Sequence, residues 1–193
     1  MNKTLLILSF FMTSLWVSAQ TFTDKALQQS AIQLNTVNTE GDYDKLFKKF
    51  TETNTSEQSK AFYYAAVSMY LKAELLSKNP NESFIESNAI AAKYALAIPL
   101  SEQDPQEINI LKGLITLQIL QSGKHKNPVK GEQDLSGYIL KSESDPNNPR
   151  LAILKAKLAE KSGNKSEAEI QYQKAKVGLE TAPGWGNQLI PKN

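Results

Sequence analysis

Apolar residues recur at intervals of three and four along almost the whole chain beyond residue 24, which is the period of a helix with one buried face. Ala26, Leu27, Ser30, Ala31 and Leu34 form one stripe behind the cap candidate Asp24. Gly41-Asp42 interrupts it, and Tyr43, Leu46, Phe47 and Phe50 form the next. A third helix is predicted from Ser56 or Ser59 to about Ser77. In it Phe62, Ala66, Met69 and Ala73 share a face, while Tyr63, Val67, Tyr70 and Tyr64, Leu71, Leu75 cover the others. A helix that is apolar nearly all round belongs at the centre of a fold. Asn79-Pro80-Asn81 precedes a fourth helix carrying Phe84, Ile85, Ala89, Ala92, Leu96 and Ala97, closed by Pro99 and Asp104-Pro105. Ile108, Leu111, Ile115 and Ile119 mark the fifth. Residues 121–131 (QSGKHKNPVKG) read as a loop, and Leu135, Tyr138 and Ile139 as a shorter sixth helix. Asp145-Pro146-Asn147-Asn148-Pro149 is a stop and restart. The seventh and eighth helices are predicted over 151–161 and 166–179, around the turn Gly163-Asn164, with Ser166 and Glu169 spaced as a capping box. Strand-length alternation and Asn-Gly or Asp-Gly hairpin signals are absent from the sequence. The fold class expected is all-α, about four helix-turn-helix hairpins.

The N-terminus follows a different pattern. Behind Lys3, residues 5–17 (LLILSFFMTSLWV) form an apolar run of thirteen, and Val17-Ser18-Ala19 places small residues where a signal peptidase reads them. The run falls short of the roughly 20 residues that span a bilayer. Residues 1–19 are therefore read as a cleaved signal peptide, 20–181 as the helical domain and 182–193 as an irregular tail or cap. That tail sets two prolines and two glycines around Trp185. A second apolar run of this kind is missing, so no membrane insertion of the mature chain is expected.

Composition narrows the partners. The chain carries 22 basic and 20 acidic residues and no cysteine. Without cysteine there is no disulfide framework, thiolate metal site, cysteine nucleophile or lipid-bearing lipoprotein cysteine. Arg150 is the single arginine, and arginine is the residue best suited to bidentate phosphate and base-edge contacts. A near-neutral chain of this kind is not expected to bind nucleic acid.

Catalytic motifs are scarce. His125 lies between Lys124 and Lys126 and reads as a solvated loop residue. Gly-x-Ser-x-Gly, a glycine-rich phosphate loop and His-Glu-x-x-His do not occur. Ser162-Gly163-Asn164-Lys165 has Ser-x-x-Lys spacing but falls on a turn. Glu167, Glu169, Glu143 and Asp145 read as solvated faces and caps. The chain is not read as an enzyme, and no cofactor is expected.

Internal spacing points to repetition. Tyr138 lies 34 residues before Tyr172, Tyr94 lies 44 before Tyr138, and Phe50 lies 44 before Tyr94. Gly163-x4-Ala168-x3-Tyr172-x2-Ala175, Gly41-x-Tyr43-x6-Phe50, Asp145-Pro146 and Tyr64-x2-Val67-Ser68-x2-Leu71 together resemble the tetratricopeptide repeat family, whose unit is about 34 residues. Leu46 and Asp134 depart from that family, which favours alanine at their places. The segment Ser18-Ala19-Gln20-Thr21, with Asn148-Pro149-Arg150 and Pro183-x-Trp185-Gly186, also resembles small exported repeat proteins of the Bacteroidota. The resemblance implies a right-handed superhelix, a tetratricopeptide-like α-solenoid, whose concave groove binds peptides along the first helices of the hairpins. It places there Phe62, Met69 and Lys72, then Gln106, Asn109 and Thr116, then Arg150, Lys157 and Lys161. That order grades from apolar through polar to basic, and suits an extended peptide with an acidic terminus.

The function expected is an exported interaction module for an unidentified protein or peptide, periplasmic rather than extracellular. The alternative is a small-molecule or glycan binder that stacks its ligand on Tyr63, Tyr70 or Trp185, which requires at least one of those rings to face solvent. Trp185 and Leu189 are expected to form a strap over the last hairpin.

Overall fold

A computed structural model describes residues 22–78, 84–99, 105–181 and 184–191. The segment 1–19, read from the sequence as a signal peptide, lies outside the described residues. The elements are α1 (Lys25–Gln33), α2 (Glu40–Glu52), α3 (Gln58–Leu76), α4 (Ile85–Leu96), α5 (Pro105–Gln121), α6 (Pro128–Ser142), α7 (Pro149–Lys161), α8 (Lys165–Thr181) and a final 3₁₀ turn, Asn187–Leu189. Among the described residues there is no strand, and no helix is long and apolar enough to cross a membrane.

Caps fix most of the helix starts. Asp24 Oδ1 accepts from the Ala26 and Leu27 amides and opens α1 as expected. The break expected at Gly41-Asp42 lies earlier. Thr39 Oγ1 accepts from the Asp42 amide, and Glu40 and Asp42 fill the first turn of α2 with negative charge, so Gly41 is helical. The sixth helix is longer than its apolar stripe. Asn127 Oδ1 caps it through the Lys130 amide, and Pro128 occupies the first turn, where its missing N–H costs nothing. At α8 the cap is Asn164, whose Oδ1 accepts from the Glu167 amide, rather than the expected Ser166.

Packing follows the stripes. α3 is buried on nearly every face and is covered by α2 and α4. α6 packs on α5, and α8 on α7. α5 in turn meets α3, α4 and α7, and side-chain bonds from α3 to α5 and to α7 join α3, α5 and α7 as one layer. Where α5 meets α7, Gly113 faces the Leu154 side chain. A Cβ there would lie 2.6 Å from Leu154 Cδ2. One apolar core runs from Phe22 through Leu189, and a small satellite of Ala156, Ala159, Ala168 and Tyr172 sits between the last two helices.

Candidate functional site

The layer of α3, α5 and α7 is tied by side chains at both ends. At one end Tyr63 Oη donates to Glu107 Oε2 at 2.7 Å. Glu107 Oε1 accepts from Asn148 Nδ2 at 2.8 Å and from Arg150 Nη1 at 3.1 Å. Glu107 and Arg150 are each 3% exposed. Burial alone would push the Glu107 carboxyl up, but the Arg150 guanidinium and the donors Asn148 and Tyr63 outweigh it and hold it below its ordinary value. The same burial disfavours charge on Arg150, and Glu107 more than restores it. Tyr63 keeps its proton, because burial first and then the Glu107 charge push its hydroxyl well above the usual range.

At the other end Glu74 of α3 is the hub. Its Oε1 accepts from Tyr70 Oη and Gln118 Nε2, both at 3.0 Å, and its Oε2 accepts from Lys157 Nζ at 2.8 Å. Tyr63 to Glu107 and Glu74 to Gln118 each span 44 residues, the interval that also separates Tyr94 from Tyr138.

Across this layer lies the C-terminal segment 184–191. Trp185 is fully buried. Its Nε1 donates to Tyr63 Oη at 2.9 Å, and its carbonyl accepts from Arg150 Nε at 2.9 Å. The guanidinium lies 5.3 Å from the indole centroid, within cation–π range. The Tyr70 ring meets the indole edge-on at 6.4 Å and Tyr63 lies tilted at 6.5 Å. Gln188 Nε2 then donates to the Leu34 carbonyl at 2.8 Å. The strap thus reaches beyond the last hairpin, across α3, to the end of α1.

Clefts flank the strap. One of about 490 Å³ is lined by Glu74, Lys78, Lys157, Glu160 and Leu189, and another of about 340 Å³ by Glu169, Gln173, Lys176 and Ile190. Tyr172 borders both and donates to Glu160 Oε2 at 2.9 Å.

The nine residues placed in a groove from the sequence fall in different surroundings. Arg150, Met69 and Asn109 are buried. Arg150 therefore corrects the reading of a basic groove end: its charge is neutralised inside the fold by Glu107. Asn109 Nδ2 donates back to the Pro105 carbonyl at 2.6 Å. Phe62 packs edge-to-face on Tyr94 at 5.3 Å. Lys72 Nζ sits 2.9 Å from both Asp44 oxygens, and Gln106 Nε2 donates to Ser144 Oγ. Thr116 is half-buried on α5. Lys157 lines the larger cleft, and Lys161 pairs with Glu132 at 3.4 Å.

Tyr63, Tyr70 and Trp185 are all buried, so none offers a free stacking face. Glu107 and Glu74 were not legible as site residues. Their one sequence signal is the 44-residue interval. Among the described residues no group of three or more His, Cys, Asp or Glu side chains could hold a metal ion. Comparison of the chain with protein-family models, curated proteins and solved structures finds no match.

Proposed function

We propose that the chain is an exported helical-repeat module that binds a protein or peptide and carries out no chemistry of its own. One observation carries this reading: an irregular, tryptophan-bearing stretch of the chain lies across the layer of α3, α5 and α7, held there by side chains of the layer. A surface that seats one irregular segment has the shape and donors to seat another. In this proposal the hairpins form a tetratricopeptide-like right-handed superhelix, residues 1–19 direct export, and the mature chain works in the periplasm. Lys157, beside Glu74 and Glu160 in the larger cleft, supplies a polar contact for the client.

The test is capture of envelope proteins on the immobilised chain from Gln20 onward, beside a Lys157→Glu/Lys161→Glu bait whose fold is checked by circular dichroism. A protein retained by the first and lost on the second supports the module and identifies its client. Equal retention on both baits removes the cleft from the interaction.

A further inference from the structure

We infer that the bed formed by Tyr63, Tyr70 and Arg150 is a recognition site for a tryptophan-glycine segment of a partner protein, and that residues 184–191 occupy it in the free chain. This deepens the reading of the chain as a peptide-binding module and rests on it. The bed recognises Trp185 by three independent features: the ring face against the Arg150 guanidinium, the indole N–H on Tyr63 Oη, and the main-chain carbonyl on Arg150 Nε. Each is common to any tryptophan in a peptide. The next residue is specified as well. Gly186 has φ 131°, where a side chain is strained, and a Cβ there would lie 3.2 Å from Ile153 Cδ1. The ligand is therefore Trp followed by Gly.

The bed is held from behind. Glu107 and Asn148 fix Arg150 and Tyr63 through bonds that do not involve the segment, and Glu107 neutralises the guanidinium. When Trp185 leaves, no uncompensated charge remains and the donors stay in place, which is the preorganisation that favours binding. Arg150 Nη2 is buried with no acceptor. A partner that brings a further carbonyl to it binds more completely than the chain's own segment does.

The segment is tied by side chains rather than by backbone, with Trp185 and Leu189 buried in the apolar core. Its backbone bonds among the described residues close only its own turn, Leu189 to Gly186 and Ile190 to Asn187. Its hydrogen bonds to the helices run through the side chains of Arg150, Trp185 and Gln188. Clefts flank it.

The experiment uses the chain from Gln20 onward, intact and as Trp185→Ala, which loosens the segment in place. The probe is a fluorescein-labelled peptide of residues 183–193 (PGWGNQLIPKN), with a version carrying Ala for Trp. Anisotropy is expected to show the tryptophan peptide binding the Trp185→Ala chain at least tenfold tighter than the intact chain, and the alanine peptide binding neither. Equal binding to the two chains, or none to a Trp185→Ala chain that keeps its helical circular dichroism, overturns the proposal. If Trp185→Ala does not fold, hydrogen exchange on the intact chain decides. The Leu189 and Ile190 amides are expected to exchange at least tenfold faster than those in the middle of α3, and equal rates overturn it. A concentration-dependent dimer of the intact chain that Trp185→Ala abolishes would make a second copy the occupant and overturn the assignment to a partner. The two readings fail separately. Peptide binding without a captured client leaves the bed intact, whereas a client lost on the Lys157→Glu/Lys161→Glu bait without peptide binding places the interaction in the cleft.

Discussion

Three donors converge on Glu107, Tyr63 from α3 and Asn148 and Arg150 from the start of α7, and its charge is tolerable in the interior only because they do. Removing that charge leaves Arg150 buried without a counter-ion. Glu107→Gln is expected to lower stability by about 3–5 kcal/mol, read as a shift of the urea midpoint. Lys161→Gln breaks a pair at 3.4 Å on a largely exposed carboxylate, and should change stability by less than about 1 kcal/mol. Asn148 has two tasks: its Oδ1 accepts from the Arg150 and Leu151 amides and caps α7, while its Nδ2 donates to Glu107. Asn148→Ala loses both. Asn148→Asp keeps the cap but sets a second carboxylate against Glu107, which like-charge repulsion penalises. At pH 7 the aspartate variant should therefore be the less stable of the two, and urea melts at falling pH should close the gap between them as one carboxyl takes up a proton. Equal stability of the two variants across that range would mean that the Asn148–Glu107 contact carries no energetic weight.

The helices themselves were legible because each needs only local information. Stripes at three and four give their faces, and Asp24, Pro105, the 145–149 segment and Gly163 bound them. The misplacements were local too. At α2 and α6 a cap residue, Thr39 or Asn127, begins the helix ahead of its apolar stripe, because the first turn needs donors satisfied rather than side chains buried. The site was not legible for a different reason. Arg150 reads from the sequence as a groove cation because the repeat resemblance sets the first helix of each hairpin along a groove, while the carboxylate that neutralises it lies 43 residues away. An analogous long-range tie joins the first described segment to α3. Glu57 Oε2 accepts from the Thr23 amide and hydroxyl at 2.8 and 2.7 Å, and its Oε1 takes Lys60 Nζ at 2.6 Å. The Lys60 bond first, and the Thr23 bonds with it, overcome burial and hold the Glu57 carboxyl at about 2. A carboxyl lowered in the folded state stabilises fully above its ordinary value near 4.5 and loses that contribution as pH falls toward 2. Glu57→Gln should therefore flatten the acid limb of a stability–pH curve between about pH 4.5 and 2 while leaving its alkaline side unchanged.

On the scale of the whole molecule, the strap changes what the layer of α3, α5 and α7 is. In an array stabilised only by neighbouring helix pairs, the two ends would be energetically distant. Here Gln188 reaches the Leu34 carbonyl, 154 residues away in sequence, and Trp185 joins α3 to α7 on the way. The strap brings a buried indole to this task but few backbone bonds, so it should come away before the helices do. Trp185 makes that separable, since from Gln20 onward it is the only tryptophan. Its fluorescence reports the strap, and far-ultraviolet circular dichroism reports the helices. In urea the emission of the chain from Gln20 onward should shift to longer wavelength at a lower midpoint than the loss of helical signal. Between the two midpoints the helices persist with the bed of Tyr63, Tyr70 and Arg150 uncovered. Coincident midpoints would make strap and helices one cooperative unit. The indole would then be a keystone of the core, and the face beneath it would open only when the fold itself is lost.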